Sequence, residues 1–172
     1  MLARALPPAI VAGVALAACS ATMAGGCVDQ NAAQSIWRSL DQRLNAVALD
    51  PDHAGLDAVA TGSALGKERQ YIQRQLVAQH LTEREVDRLD SLTVLDPGCG
   101  KGTVRVRVTV TLVQDDYLAA DGHVDHSDEA VGSTFHLIES FARSGTSWKE
   151  TDFEDADQPT PTPQLLSGRL LY

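Results

Sequence analysis

One stretch of this chain limits its possible folds more than any other. In Thr103–Leu118, "TVRVRVTVTLVQDDYL", apolar residues alternate with Arg and Thr at Val104, Val106, Val108, Val110 and Leu112. Successive side chains of a strand point to opposite faces, so this pattern predicts a half-buried strand in an antiparallel sheet. We expect the strand to lie centrally, with its valines facing a layer of helices and its inward face entirely aliphatic. Arg105 and Arg107 then point outward.

Two segments with helical periodicity precede this strand. The first ends at Asp50-Pro51 and places its apolar residues on one face, at Ile36, Trp37, Leu40, Leu44 and Val47. The second, "LDAVATGSALGKERQYIQRQLVAQHL", follows with Leu65, Tyr71, Ile72 and Leu76 on a shared face. Within it, Leu56–Val59 reads as a short helical turn, and the hydroxyls of Thr61 and Ser63 can cap the helix that follows.

Further strands flank the long one. "SLTVLD" precedes a Gly-rich turn, and "TFHLIESFARSG" predicts a strand with Phe135, Leu137 and Phe141 inward. "TSWKETDFED" predicts a last strand anchored by Trp148. The turn "GCGKG" lacks the spacing of a phosphate loop and leads into a strand, so it is read as a turn. The order predicts an α+β fold, with N-terminal helices packed on a curved antiparallel sheet of three to four strands.

Two stretches carry a resemblance to a known superfamily. "VATGSALGKERQYIQRQ" on the second helix and "FARSGTSWKETDF" at the last strand pair resemble the nuclear-transport-factor-two-like, or cystatin-like, domains of small actinobacterial lipoproteins. The resemblance covers about residues 30–155. It implies a sheet that curls into a cone able to hold a small ligand. Some members are isomerases or dehydratases, and many bind or assemble without catalysis.

The amino terminus predicts export. Residues 1–18, "MLARALPPAIVAGVALAA", combine a short basic start, an apolar middle and small final residues, which is the pattern of a secretory signal peptide. Leu16-Ala17-Ala18-Cys19 resembles the lipobox of bacterial lipoproteins, which implies a diacylglyceryl group on the Cys19 thiol and cleavage before it. Two acyl chains hold a protein stably on a bilayer. A retained anchor helix, or a secreted protein cut near Ala21 or Ala24, are the alternatives.

The cysteine count is consistent with lipidation. The chain has three cysteines, an odd number for an oxidising compartment. If Cys19 carries lipid, Cys27 and Cys99 remain as one pair that can form a disulfide outside the cytoplasm. Two unpaired thiols are the alternative. Neither residue has a Cys-x-x-Cys spacing or a neighbouring His, so metal or redox chemistry is not predicted there.

These signals divide the chain into four parts. They are a signal peptide at 1–18, an anchor linker at 19–29, the α+β domain at 30–155 and a Pro/Thr-rich tail at 156–172 that we expect to be disordered or extended. The net charge of −9, without a Lys/Arg-rich run, disfavours nucleic acid as a partner. The expected location is the extracytoplasmic side of the cell membrane.

Candidate chemical residues are few. His123, Asp125, His126 and Asp128, with Glu129 beside them, combine imidazoles and carboxylates in a way that suits a divalent metal. They lie in a polar loop and do not match the spacing of a calcium loop, so a solvated loop is the preferred interpretation. His136 neighbours core positions, but a lone His on a strand is more often exposed or packed than catalytic.

Two functions therefore compete. The first is a lipid-anchored, non-catalytic module that binds a protein partner or a small apolar ligand and needs no cofactor. The second is a cone-pocket enzyme of the isomerase or dehydratase kind, or a metal-dependent hydrolase. An apolar, closed cone favours the first function, whereas a polar cavity holding an acid or His with a perturbed pKa favours the second.

Overall fold

A computed structural model describes residues 26–157 and, beyond them, the backbone of 164–166 and 169–171. The predicted signal peptide and the lipidation site Cys19 lie outside the described residues. Within the described part of the chain, none of the helices has the length and apolar character needed to span a bilayer.

Three helices form one layer of the domain. They are α1 (Gln30–Leu49), α2 (Leu56–Val59) and α3 (Gly62–Tyr71), and α3 continues through a π-helical turn (Ile72–Leu76) and a 3-10 turn (Val77–Gln79). The side chain of Asp29 caps α1 by accepting the Ala32 N–H at 2.8 Å. The predicted apolar stripe of α1 is buried. The Ser63 hydroxyl donates to the Thr151 carbonyl at 3.2 Å, so it joins α3 to the sheet instead of capping the helix.

The second layer is an antiparallel sheet. Its strands are β1 (Thr82–Asp96), β2 (Thr103–Leu118), β3 (Val124–Ser127), β4 (Thr134–Ser144) and β5 (Ser147–Asp155), in the order β1-β2-β4-β5, with the short β3 on the end of β2. In the tail, β6 (Gln164–Leu166) pairs with β7 (Arg169–Leu171). The predicted α+β class, with helices packed on an open antiparallel sheet, is confirmed, and the arrangement is consistent with the predicted cone.

The central strand has the predicted orientation over most of its length. β2 lies between β1 and β4. Val104, Val106, Val108 and Val110 are at most 2% exposed and belong to one apolar cluster with Trp37, Leu40 and Leu44 of α1. On the opposite face Arg105 pairs with Glu154 at 2.7 Å, as expected for an outward residue. The alternation in the sequence therefore correctly predicts which side chains of this part of β2 face the core.

The last third of β2 differs from this prediction. The pairing with β1 shifts between Val86 and Asp87, whose partners are Gln114 and Leu112, so Val113 is an extra residue in a β-bulge. After the bulge the buried positions pass from Leu112 to Asp115 and Tyr117. The expectation that the inward face of β2 is entirely aliphatic is therefore wrong. Its far end carries a carboxylate and a phenol.

Strand β1 is also longer than the sequence predicts. "SLTVLD" predicts only its second half, whereas the strand begins at Thr82 and includes the charged stretch "TEREVDRLD". Within this stretch Glu83 and Glu85 are buried on the inward face, while Arg84 between them is exposed. The missed half of β1 thus places two more acids beside the far end of β2.

The two remaining cysteines meet at the opposite end of β1. Cys27 and Cys99 are at disulfide distance, with 1.95 Å between their sulfurs. The Val28 N–H donates to the Pro97 carbonyl at 3.0 Å, and the Gly100 N–H donates to the Gly26 carbonyl at 2.8 Å. These bonds join the start of α1 to the β1–β2 turn.

Candidate functional site: a buried carboxyl–tyrosine cluster

Five side chains converge at the end of the domain where β1 begins and β2 ends. We call them the carboxyl–tyrosine cluster: Glu83 and Glu85 of β1, Asp115 and Tyr117 of β2, and Tyr71 at the end of α3. Carboxylate oxygens of the three acids lie within 4.8 Å of one another. Glu83, Glu85 and Asp115 are 3%, 7% and 0% exposed, so the acids are held away from solvent.

A short relay of hydroxyl groups supports one of the acids. The Tyr71 hydroxyl donates to Glu83 Oε1 at 2.9 Å. It also lies 3.1 Å from the Tyr117 hydroxyl. Because Tyr71 has one phenolic proton and gives it to Glu83, Tyr117 is the donor in the second bond. Both tyrosines are therefore positioned to stabilise an ionised Glu83.

Asp115 has a different environment. Among the described residues, no hydrogen-bond donor reaches either of its carboxylate oxygens. The carboxyl groups of Glu83 and Glu85 lie within 4.8 Å of the Asp115 carboxyl group, and its contact with Glu83 is a hydrogen bond only if one of the two acids carries a proton. Ionised carboxylates at this separation in a dry interior repel strongly. A proton or a cation between the acids relieves that repulsion.

Burial and like charge perturb the titration of the cluster. Burial raises the pKa of Glu83 well above its usual value, and the charge of Asp115 raises it further. Burial also raises the pKa of Asp115 to about 6. The pKa values of Tyr71 and Tyr117 are raised by burial and by the charge of Glu83, so both phenols stay protonated at neutral pH.

Space beside the cluster is very limited. A cavity of about 30 Å³ is bordered by Tyr71, Glu83, Glu85 and by Glu68 of α3. Its lining also includes Leu44, Asn45 and Val47 of α1 and Leu56 of α2. A cavity of this size accommodates about one or two water molecules. It is suited to a small ion or a water, and an organic substrate does not fit in it.

A larger and mostly apolar depression lies at the same end of the domain. This groove, which we call the open-end groove, has a volume of about 490 Å³. Its lining includes Leu49, Pro51, Val77, Leu81, Leu118 and Ala119. Its volume lies within the usual range of small-molecule sites. Two of its apolar side chains are substantially exposed, Leu49 at 40% and Val77 at 41%.

The structure does not gather the predicted metal candidates around one point. His126 Nδ1 pairs with Asp125 at 2.9 Å, His123 pairs with Asp121, and an Asp128 carboxylate oxygen accepts the Ala130 N–H at 2.6 Å. Among the described residues, the only group of three or more His, Cys, Asp or Glu side chains close enough to share an ion is Glu83, Glu85 and Asp115.

Of the three histidines singled out in the sequence, His126 and His136 also lie at the surface. The His126 ring stacks on Tyr117, with centroids 4.5 Å apart. His136 is exposed on the outer face of β4, where its Nδ1 lies 3.1 Å from the Thr109 hydroxyl. Neither imidazole reaches the acids of the cluster in hydrogen bonds, although His126 packs against one of its tyrosines.

Sequence reasoning missed every member of the cluster as a functional residue. One signal was present: Glu83, Glu85 and Asp87 share the two-residue spacing of Leu89, so the acids are in phase with an apolar residue. For Asp115 the pattern is misleading, because the bulge at Val113 changes which positions face inward.

Comparison with known proteins gives distant likenesses only. No family model matches the chain, and no curated protein matches it. The intermembrane space region of the chloroplast protein ARC6 is 18% identical with a TM-score of 0.49, covering 74% of this chain and 95% of that one. The protein Aln2 from a Streptomyces species is 14% identical with a TM-score of 0.45, covering 76% and 95% respectively.

Proposed function

We propose that this chain is a lipoprotein of the nuclear-transport-factor-two-like kind, anchored through Cys19 on the extracytoplasmic side of the cell membrane. Its domain is a non-catalytic module that binds a small apolar ligand in the open-end groove. One observation carries this proposal. The cavity beside the carboxyl–tyrosine cluster has only about 30 Å³, whereas the open-end groove, with about 490 Å³, is lined mainly by apolar residues.

Buried acids with raised pKa values are typical of enzymes, but a substrate in solution cannot reach these acids. A general acid or base must come within hydrogen-bond reach of the substrate proton. Glu83 and Asp115 are at most 3% exposed. His136, the histidine nearest the predicted core, is exposed on the outer face of the sheet. An isomerase, dehydratase or hydrolase would need a rearrangement that exposes these groups to a substrate.

The shape of the open-end groove favours a small ligand over a protein partner. Small-molecule sites are concave and mostly apolar, with a few polar groups at defined places. Here apolar side chains come from α1, the end of α3 and the end of β2, and His53 and His80 also border the groove. The exposed parts of Leu49 and Val77 would be removed from water by an apolar ligand, which favours binding.

Arg substitution at two equally exposed valines tests the binding site. In the native protein we expect saturable fluorescence enhancement of the neutral apolar probe N-phenylnaphthylamine. Val77→Arg should weaken its binding about tenfold or more, because the probe would then displace water from a cation. Val86→Arg is the matched control, since Val86 is 42% exposed and lies outside the groove. Equal loss in both variants, or no saturable binding to the native protein, would contradict the proposal.

A further inference from the structure

We propose that Glu83, Glu85 and Asp115 bind a single Ca²⁺ ion between β1 and the bulged end of β2. The first support is geometric. Their carboxylate oxygens lie within 4.8 Å of one another. Calcium–oxygen distances are about 2.4 Å, so two ligands of the same ion are at most about 5 Å apart. The three acids are therefore already at a separation that a single ion can span.

The second support is the environment of Asp115. Its side chain is completely buried, and when Glu83 is ionised both carboxylate oxygens of Asp115 lack a donor among the described residues. It is directed at Glu83 and Glu85, which are themselves acceptors when ionised. The nearby charges acting most strongly on it, from Asp128, Asp87 and Asp116, are also negative. A divalent cation would supply both the missing partner and the missing positive charge.

The ligand chemistry selects the kind of ion. The three candidate ligands offer only oxygen, which suits hard cations and not the softer metals that prefer thiolate or imidazole. Mg²⁺ demands octahedral geometry and retains several waters, whereas Ca²⁺ accepts variable geometry with more ligands from protein. The adjoining cavity of about 30 Å³ leaves room for about one or two waters. Ca²⁺ is therefore the better fit.

The position of the ion gives it a structural consequence. Thr82 at the start of β1 and Leu118 at the end of β2 border the open-end groove, and the acids lie one to three residues away from them. An ion that joins these strands would hold one wall of the groove. The cation site stands on its own geometry and does not depend on what the groove binds.

Calcium titration of the full-length protein, purified in detergent and stripped with EDTA, tests this inference. We expect one Ca²⁺ bound per chain by equilibrium dialysis. At a hundredfold excess over Kd, the melting temperature should rise by about 5–10 °C. Terbium, a luminescent substitute for Ca²⁺, should give emission when excited through the tyrosines, and Ca²⁺ should compete it away.

Two neighbouring aspartates provide the matched variants. Asp115→Asn should abolish the calcium-induced shift, and the metal-free variant should melt above the metal-free native protein because a repulsive charge is gone. Asp116→Asn should keep the shift, since Asp116 pairs with Arg84 at 2.7 Å on the other face. If Asp115→Asn fails to fold, Glu85→Gln provides the same test.

Three results would overturn the inference. One is a native melting temperature that does not respond to Ca²⁺, as expected if the acids hold a proton instead. Another is an equal response to Ca²⁺ in the Asp115 and Asp116 variants. The third is a melting temperature that rises with Mg²⁺ and not with Ca²⁺, which would show that Ca²⁺ is not the ion of this site.

Discussion

At the scale of single residues, this domain is unusual in how many acids it buries. The described residues include six acids that are at most 7% exposed: Glu68, Glu83, Glu85, Asp115, Glu139 and Glu150. Removing a carboxylate from water costs free energy unless it is paired or neutralised. Apolar residues at these positions would be compatible with the same helix and strands, so the fold alone does not account for the acids. Residues whose chemistry conflicts with their buried position are common at functional sites.

The valines of β2 differ from the buried acids, because their burial in the apolar core is sufficient to explain why they are apolar. Val108→Asp should lower the free energy of unfolding by about 3–5 kcal/mol, because Val108 is fully buried and an unpaired charge would enter the apolar cluster. Urea denaturation measures this change. The controls are Arg107→Ala and His136→Ala on the exposed face, each expected to cost less than about 1 kcal/mol. A cost of that small size for Val108→Asp would contradict the assigned inward face.

At the scale of elements, the sequence is informative wherever periodicity is unbroken. The stripe of α1 and the alternation of Val104–Val110 predict a helix and a strand that the structure contains, and their buried residues belong to one apolar cluster. The first half of β1 could not be predicted, because "TEREVDRLD" is highly charged and strand propensity depends on context. It forms a strand because β2 pairs with it from Thr82 to Asp96, interrupted by three register shifts.

The cluster escaped prediction for a related reason. Its members come from three elements, and two of them follow a bulge that resets the alternation of β2. A bulge is a tertiary feature of two paired strands, so a single-strand pattern cannot locate it. Individual positions such as Leu137 and Phe141 were predictable as inward, whereas the convergence of Glu83 with Asp115 required the pairing itself.

The Cys27–Cys99 pair joins the start of α1 to the β1–β2 turn, and substitution and peptide mapping can test it. It closes a loop with a sequence separation of 72, for which the chain-entropy model gives up to about 4 kcal/mol. We expect the Cys27→Ser/Cys99→Ser double variant to lose up to this amount in urea denaturation. Non-reducing peptide mapping of exported protein should recover the two peptides joined. Recovery of both thiols free would contradict the pairing.

At the scale of the whole molecule, the proposed location makes the separate features compatible. A disulfide persists outside the cytoplasm, and three cysteines leave one pair only if Cys19 is modified. The net charge of −9 is also compatible with a cation site at the exposed surface of a cell. In the proposed account, lipid anchoring and the disulfide both depend on the chain reaching that compartment.

The most direct test of this placement is the fate of the chain when Cys19 is changed. Detergent phase partitioning with intact-mass measurement should place the native protein in the detergent phase, with diacylglyceryl on a new amino-terminal Cys19. Cys19→Ala should either release the protein into the medium or leave it unprocessed, while Ser20→Ala, the neighbouring control, should behave like the native chain. A Cys19→Ala protein that stays in the detergent phase with the native mass would contradict the lipid anchor.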